Sequence, residues 1–383
     1  MQNFIPLSLY VHIPWCVRKC PYCDFNSHEK DSSFDEKRYL EALLSDLESE
    51  HVLCQQRPLS SIFFGGGTPS LFSADAIHTI IDHARQLFRF DDIEITLEAN
   101  PGTFEQDKFN AFRQAGVNRL SIGIQSFKQQ HLESLGRIHD SKQALSAIDT
   151  ATSAGFDNIN LDLMFGLPQQ TIEQAVDDIR TACAFEVNHI SHYQLTIEEN
   201  TYFHKHTPVL PESDLLWEMQ TQCQDLLLEN QYQQYEISAY AKKGRQCQHN
   251  VNYWLFGDYI GIGAGAHGKL SSINDQEQAL VVQRRWKHRQ PRQYIEKTSS
   301  GESLSGASTL KQQDIVFEFL LNALRLKAGS DLDIFKQHTG LTLDQLQHAV
   351  KDIDPALLIL DSNRITTTDR GFLFLNEILE KLV

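Results

Sequence analysis

Short aliphatic or β-branched runs alternate with amphipathic segments through the first 230 residues of the chain. The runs have the usual length of β-strands. They predict strands at Leu7–Ile13, Ser61–Phe64, Ile93–Ala99, Leu120–Ser126, Asn158–Phe165 and Ile190–Ile197. Between them, apolar residues recur at i, i+3 and i+4, as in a helix with one buried face. They predict helices at Phe34–His51, Ala74–Phe88, Gln106–Ala115, Lys142–Ala154, Ile172–Phe185 and Asp214–Glu229.

The regular alternation of strand and helix predicts a parallel sheet with helical crossovers. Helix stops support this assignment, because Ala115-Gly116 and Ala154-Gly155 each precede a strand by a few residues. The fold class is therefore α/β. The pattern by itself does not separate an open doubly wound sheet from a closed or partial barrel.

The pattern changes after about Tyr232, where strands and irregular segments follow, Glu236–Tyr240 and Tyr259–Ala266 being the clearest. The segment Thr298–Ser308 has few apolar residues and predicts a linker. We therefore predict a barrel-like or doubly wound part at residues 1–232 and a strand-rich extension at residues 233–300.

A third part is predicted at residues 301–383. Two or three helical segments there precede a hairpin of Leu357–Leu360 and Arg364–Thr368, and a last helix follows Gly371. Helices followed by a hairpin predict a mainly helical, winged-helix-like module. Residues 306–383 have 8 Lys and Arg against 11 Asp and Glu, and this negative balance argues against a DNA-binding role.

The net charge of the chain limits the classes of partner that it can bind. The chain has 34 Lys and Arg against 50 Asp and Glu, which gives a net charge of −16. A general nucleic-acid binder needs a basic field, so that class is excluded, and an anionic membrane surface is disfavoured for the same reason. The chain lacks a run of eighteen apolar residues, and Met1–Trp15 lacks the basic start of a signal peptide. We expect a cytoplasmic protein.

Three of the seven cysteines, Cys16, Cys20 and Cys23, fall in a C-x3-C-x2-C pattern. Pro14 and Pro21 exclude a helix interior, so the triplet is placed in a loop after the first strand. Three thiolates can hold three irons of a 4Fe-4S cluster and leave the fourth iron open, whereas electron-carrying ferredoxin sites normally supply four cysteines. An iron without a protein ligand can bind a chelating small molecule. Two alternatives remain: a zinc site completed by His12, or three unliganded cysteines.

The segment from Tyr10 to Cys23, YVHIPWCVRKCPYC, resembles the signature of radical S-adenosylmethionine (SAM) proteins. Within that superfamily it is similar to the oxygen-independent coproporphyrinogen III oxidase family, and the resemblance covers nearly the whole chain. It implies a partial (β/α)6 TIM-like barrel with its chemistry at the carboxyl ends of the strands. In that family the open iron binds the amino and carboxylate groups of SAM, and the reduced cluster cleaves SAM to a 5'-deoxyadenosyl radical.

Polar residues at strand ends agree with a ligand at that edge of the sheet. Gly65-Gly66-Gly67-Thr68-Pro69 directly follows the second strand, and its glycines permit close backbone approach. A strand buried on both faces should be apolar, so polar members such as Glu98 and Asp162 need partners, either a ligand or internal hydrogen bonds. The resemblance implies that the SAM site includes Tyr10, Tyr22, Gly66, Gly67, Thr68, Glu98, Gln125, Arg137 and Asp162.

Two motifs lie outside the predicted barrel. Gly263–Gly268 formally matches G-x-G-x-x-G, but no amphipathic helix follows it, so a dinucleotide site is rejected. The segment His249-Asn250-Val-Asn-Tyr253-Trp254 resembles the H-N-x-x-Y-W element of the HemW-type heme chaperone branch of the family. His249 is therefore a candidate heme ligand, the alternative being a hydrogen-bonded loop histidine.

A basic run could pair with the propionates of heme, although such runs more often form a solvated face. It consists of Arg284, Arg285, Lys287, His288, Arg289 and Arg292.

Two departures from the oxidases decide between the branches of the family. The oxidases carry a fourth cysteine two residues after the third, where this chain has Phe25, and they have an N-terminal extension. The resemblance therefore implies a heme chaperone that passes heme to respiratory or membrane-associated acceptor proteins and lacks coproporphyrinogen oxidase activity. The alternative is an active radical enzyme, either such an oxidase or one with another substrate. A structural zinc protein is a third class.

Overall fold

A computed structural model of the chain describes residues 5–32, 34–102, 106–274 and 279–382. The first elements are β1 Leu7–Ile13, β2 Trp15–Cys16, β3 His28–Glu29, α1 Glu36–His51, β4 Leu59–Gly66, α2 Ala74–Phe88, β5 Glu94–Ala99, α3 Gln106–Gln114, β6 Arg119–Gln125, α4 Gln129–Ser134, α5 Ser141–Ser153, β7 Ile159–Phe165, α6 Ile172–Ala184 and β8 His189–Gln194. Then follow α7 Tyr202–Lys205, α8 Ser213–Glu229, β9 Gln233–Glu236, β10 Ala239–Ala241, α9 Gln248–Trp254, β11 Asp258–Ile262, β12 His267–Asn274, β13 Ala279–Lys287, α10 Pro291–Ser299 and β14 Leu304–Thr309. The last elements are α11 Gln312–Ala323, β15 Ser330–Asp331, α12 Leu332–Thr339, α13 Leu343–Val350, β16 Leu358–Leu360, β17 Arg364–Thr367, α14 Asp369–Leu373 and α15 Leu375–Glu380.

Twelve strands of the described residues form one sheet in the order β14-β13-β12-β11-β1-β4-β5-β6-β7-β8-β10-β9. The strands from β11 to β8 in this order run parallel, and antiparallel strands extend both edges. The predicted α/β fold with a partial barrel is therefore confirmed.

The two faces of β1 show how sequence alternation builds the barrel. Leu7, Leu9, Val11 and Ile13 are fully buried in the apolar core that the helices cover. The residues between them point to the opposite face, because successive side chains of a strand alternate. The barrel interior is consequently lined by polar side chains, which is where a ligand can be held.

The predicted strands and helices of the barrel all occur, with most bounds shifted by no more than two residues. The segment Glu236–Tyr240 is divided between β9 and β10 by a turn at Ile237 and Ser238, and Tyr259–Ala266 ends as a strand at Ile262. The sequence analysis missed β12 and β13, which extend the sheet.

The predicted linker Thr298–Ser308 was wrong. Its first residues end α10, and Leu304–Thr309 pairs antiparallel with β13, with Arg285 opposite Ala307. Most side chains of this edge strand are exposed, so its sequence needs no apolar alternation. Backbone hydrogen bonds to β13 define it instead. The division of the chain at residues 232 and 300 stays a prediction, while the sheet continues from β9 through β14.

The C-terminal part combines helices with a small antiparallel sheet in the order β15-β17-β16. A separate apolar cluster stabilises it, including Phe319 and Leu320 of α11, Phe335 of α12 and Leu346 of α13. This arrangement agrees with the predicted helices and hairpin. Among the described residues, no helix is both long enough and apolar enough to cross a bilayer.

Candidate functional site

A cavity of about 300 Å³ opens at the carboxyl ends of the parallel strands. The structure brings most of the predicted site residues together around it. The lining includes Cys16, Cys20, Tyr22, Cys23, Gly66, Gly67, Thr68, Glu98, Gln125, Arg137 and Asp162. These residues come from five strands and from the loops that follow them, so only the folded sheet unites them.

The cysteine loop lies between β2 and β3 at one wall of this cavity, as expected from its prolines. A turn brings the last two thiols to one side, with the Cys23 amide donating to the Cys20 carbonyl at 3.2 Å. Arg137 Nη1 donates to Cys20 Sγ at 3.6 Å, and the Cys23 Sγ and Ser27 Oγ atoms are 3.7 Å apart. Burial raises the pKa of the Cys16 thiol to about 11 and also raises that of Cys23.

Asn26 anchors the end of the cysteine loop to the turn between β11 and β12. Its Nδ2 atom donates to the carbonyl of Ala264 at 2.8 Å and to that of Arg289 at 2.9 Å. Gly265 permits this approach, because a Cβ atom there would lie 2.4 Å from Asn26 Nδ2, and its φ of +79° favours glycine. One glycine of the rejected dinucleotide motif, Gly265, therefore packs against the end of the cysteine loop.

His12 holds the same loop from inside the barrel. Its Nε2 atom lies 2.9 Å from the Asn26 carbonyl oxygen, and its Nδ1 atom lies 2.9 Å from the Tyr10 hydroxyl. Burial lowers the pKa of His12 to about 4, so the imidazole is neutral at neutral pH. Both ring nitrogens are engaged in hydrogen bonds, which leaves no free one to complete a zinc site with the cysteines.

Tyr10 was predicted to contact SAM, but the structure places it beside the cavity lining. Its ring packs under Gly65, where a Cβ atom would lie 2.9 Å from the Tyr10 ring. The predicted direct contact therefore stays a prediction. In the structure, the Tyr10 ring packs against the glycine turn.

The glycine turn after β4 brings its backbone to the cavity. Gly66 has a φ of +122°, and its amide donates to Glu98 Oε2 at 3.1 Å. A Cβ atom on Gly67 would lie 2.6 Å from the carbonyl oxygen of Trp15. This turn and the cysteine loop are thus in backbone contact, which larger residues would prevent.

Two partly buried carboxyl groups face the cavity. Burial and, to a lesser extent, the nearby charge of Asp162 raise the pKa of Glu98 to about 8, against the opposing hydrogen bond from the Gly66 amide. Burial also raises the pKa of Asp162, against hydrogen bonds from Asn160 and Ser121. A cation bound here would stabilise the ionised carboxylates, so the site electrostatically favours a positively charged ligand.

Sequence analysis missed two polar partners at the opposite wall. The Tyr193 hydroxyl donates to Gln125 Oε1 at 2.7 Å, and Arg137 Nη2 donates to Asn100 Oδ1 at 2.5 Å. Arg137 Nε is buried without a hydrogen-bond partner among the described residues. Tyr193 lies in a predicted strand and Asn100 directly follows another, so their places near strand ends could have indicated them.

The structure places His249 at the other end of the barrel from the cysteine loop. It lies on α9, near the start of β4, and its Nδ1 atom is 3.0 Å from Ser61 Oγ. Its ring centroid lies 5.0 Å from that of Phe63 and 6.4 Å from that of Tyr10. Burial lowers the pKa of His249 to about 3. The imidazole is partly buried against aromatic side chains of β1 and β4, and its role as a heme ligand stays a prediction.

The basic run at residues 284–292 is also mostly engaged within the protein. Arg284 pairs with Glu318, Arg285 with Glu50, Lys287 with Asp46 and Glu50, and Arg292 with Glu296. Four of its six basic residues therefore have carboxylate partners. Arg284, Arg285 and Lys287 therefore pair with other elements and do not form a simple solvated face. Arg292, in contrast, is exposed and pairs within α10, as on a solvated face. Pairing of this run with heme propionates stays a prediction.

Two family models match the chain: the radical SAM superfamily at residues 10–182 and the HemN C-terminal domain at residues 310–374. The heme chaperone HemW of Haemophilus influenzae is 47% identical, over 99% of this chain and 98% of that protein. The heme chaperone HemW of Escherichia coli is 46% identical, over 99% of both chains. This chain belongs to the HemW family. The HemW protein of Bacillus subtilis is 34% identical, over 97% of both chains.

A solved structure shows the same fold. The coproporphyrinogen III oxidase HemN of Escherichia coli, described as a radical SAM enzyme, matches with a TM-score of 0.82 and 23% identity, covering 99% of this chain and 90% of HemN. The predicted membership of the radical SAM superfamily and of the HemW branch is confirmed. Radical SAM membership implies a 4Fe-4S cluster and SAM.

Proposed function

We propose that this protein is a heme chaperone that binds heme and delivers it to acceptor proteins, including membrane-associated respiratory enzymes. The observation that carries the proposal is the near-complete, 46–47% identity to two proteins named heme chaperone HemW. We further propose that Cys16, Cys20 and Cys23 hold a 4Fe-4S cluster whose open iron takes exchangeable SAM.

The residues of the cavity fit this pair of groups. The three thiols face one cavity, and three cysteine ligands would leave one iron open for a chelating molecule. Glu98 and Asp162 supply negative charge for the cationic parts of SAM, and the unbonded Arg137 Nε supplies a donor for its carboxylate. When bound, the cluster and SAM would supply one-electron chemistry to this site.

The remaining cavity residues would bind and orient the ligand. Gly66 and Gly67 let the backbone approach it closely, and Thr68 adds a hydroxyl at the same turn. Gln125 and Tyr22 line the same cavity and complete the proposed contacts. Burial of these groups excludes water and strengthens their electrostatic interactions with the ligand.

Phe25 supports the chaperone over the oxidase. Its side chain is 63% exposed at the mouth of the cavity, where the oxidases have a fourth cysteine. The second candidate, an active radical enzyme, is favoured by one observation: the polar cavity retains the full predicted set of SAM contacts except Tyr10. The two functions must be separated by experiment.

The cluster is tested by anaerobic reconstitution. We expect about four irons per chain in the wild type, as the 4Fe-4S assignment requires. Cys20→Ser should lose most of this iron, because one of three ligands is removed. Cys54→Ser is the matched control, since Cys54 is buried elsewhere and donates to the Glu50 carbonyl. Equal iron content in Cys20→Ser and the wild type would overturn the cluster assignment.

The chaperone function is tested by heme titration beside an oxidase assay. We expect heme to bind the anaerobic protein with a shifted Soret band, and then to appear in an added apo-acceptor. Coproporphyrinogen III, SAM and a reductant should give no protoporphyrinogen. Turnover in that assay would establish the oxidase instead, and absence of both activities would leave another radical substrate as the better candidate.

A further inference from the structure

His249 is partly buried and already engaged with Ser61, which leaves open where heme would bind. A heme site needs an accessible imidazole, apolar walls for a flat macrocycle and cations for two propionates. The described residues bring these three features together in the C-terminal part, away from the cysteine loop.

A groove of about 730 Å³ lies between α11 and α13 and extends to the last described residues. Its base and sides are apolar, with Val316 and Leu320 buried beneath and Phe317, Ala349 and Leu382 at the sides. Polar groups also line it: Gln312, Gln313 and Gln345. Phe317 offers an aromatic ring of the kind that stacks on planar ligands. The groove is therefore shaped and lined for a flat apolar molecule.

The charged side chains at the rim of the groove are mainly cationic. Lys311 and Lys381 are exposed at it, and neither ammonium group has an ion pair with a carboxylate in the described parts of the chain. Asp344 is the one carboxylate among the described lining residues. In a chain of net charge −16, two unpaired lysines beside an apolar groove match a ligand that carries two carboxylates.

His348 lies on the same rim, on α13, and its side chain is exposed. A neutral imidazole nitrogen can coordinate heme iron without any other group changing its protonation. The His249 ring, in contrast, is partly buried, lies beside the rings of Phe63 and Tyr10, and is hydrogen-bonded to Ser61.

We infer that this groove binds a dicarboxylic metalloporphyrin, with His348 as an axial ligand and Lys311 and Lys381 as partners of the propionates. The inference rests on the proposed function for the identity of the cargo. It assigns the cargo to the C-terminal part, separate from the cavity beside the cysteines.

Titration of the full-length anaerobic protein with hemin tests the site. We expect one equivalent to bind with a shifted Soret band in the wild type. His348→Ala should change the band position and weaken binding at least tenfold, while His249→Ala should retain both. Lys311→Glu with Lys381→Glu should weaken binding severalfold and leave the band position unchanged. Lys243→Glu, an exposed lysine elsewhere, is the matched control.

Metal-free protoporphyrin IX separates the two kinds of contact. Its binding, followed by fluorescence, should depend on the lysines and be unaffected by His348→Ala, because it has no iron to coordinate. Circular dichroism checks that each variant is folded.

Each other result has a distinct meaning. No hemin binding by the wild type would reject the proposed function itself. Wild-type binding that survives the His348 and lysine changes would overturn the groove alone, and its loss in His249→Ala would return the ligand to α9. If the lysine changes alter only the oligomeric state measured by light scattering, the groove is an interface between two copies, which also overturns the inference.

Discussion

Glu98 illustrates how burial sets the properties of a single residue in the cavity. Its folded-state pKa of about 8 lies above the ordinary value near 4.5. Between these two values, the folded protein keeps a proton that the unfolded chain has released. The free energy of unfolding of the ligand-free protein should therefore fall as pH rises from 4.5 to 8 and should not fall further above it.

The variant Glu98→Gln tests this pH dependence. The amide cannot ionise, so we expect the variant to be more stable than the wild type at pH 8 and similar at low pH. The upper limit of the difference is about 5 kcal/mol, at about 1.36 kcal/mol per pKa unit. Urea unfolding across this range measures it, with the exposed Glu41→Gln as control. An unchanged pH slope in Glu98→Gln would contradict the assigned pKa.

Single residues also show the limits of sequence reasoning. The cysteine triplet was recognisable because its spacing is local, and Glu98 because it ends a strand. Tyr193 and Asn26 were missed, since their roles depend on Gln125 and Ala264, which are distant in the chain. Contacts of this kind arise only after the sheet has formed.

At the scale of elements, the cysteine loop is held by the turn between β11 and β12. Asn26→Ala removes the two hydrogen bonds to Ala264 and Arg289 without touching a cysteine. We expect the reconstituted cluster to be lost faster to a chelator, severalfold in rate, and the EPR spectrum of the reduced cluster to change. Asn230→Ala is the control, because Asn230 is exposed and bonds only within the end of α8 in the described contacts.

A second variant tests the same clamp from the other side. Gly265→Ala places a methyl group 2.4 Å from Asn26 Nδ2 in a backbone conformation that disfavours alanine. It should therefore resemble Asn26→Ala in cluster loss. Wild-type retention in both variants would mean that the clamp does not position the loop.

Secondary-structure elements also differ in how well they can be predicted from their own sequences. The barrel helices carry clear amphipathic patterns and capping residues, such as Asp140 before α5 and Thr171 before α6. β14 has no such signal, because an exposed edge strand is defined by its pairing with β13. The type of an element was predictable where one of its faces is buried. It was not predictable where both faces are exposed, because no hydrophobic pattern then marks the element.

At the scale of the whole molecule, buried charges join the barrel to the extension. Asp258 at the start of β11 is fully buried, and its carboxylate lies 2.7 Å from both Arg57 Nη1 and Lys269 Nζ. Burial alone would raise its pKa, but the two cations outweigh burial and lower the pKa below the ordinary value. The pair therefore favours the folded state at neutral pH and loses that contribution as pH falls through the folded-state pKa.

Asp258→Asn should leave both cations buried without a balancing charge. We expect the free energy of unfolding at neutral pH to decrease by about 3–5 kcal/mol, as for other broken buried ion pairs. Chemical denaturation monitored by circular dichroism measures this change. Asp361→Asn, in an exposed turn, should have little effect. Equal stability of Asp258→Asn and the wild type would show that the buried pair is not stabilising.

The sequence by itself determined the α/β alternation, the cysteine triplet and the family, because each is a local pattern that survives without three-dimensional context. The tertiary structure decided what depends on distant segments. It joined β11 to β1, extended the sheet with β14, and packed His249 against Phe63 of β4. The physical reason is that hydrogen bonding between strands and the burial of a side chain are properties of neighbours in space, which the spacing of residues along a chain does not specify.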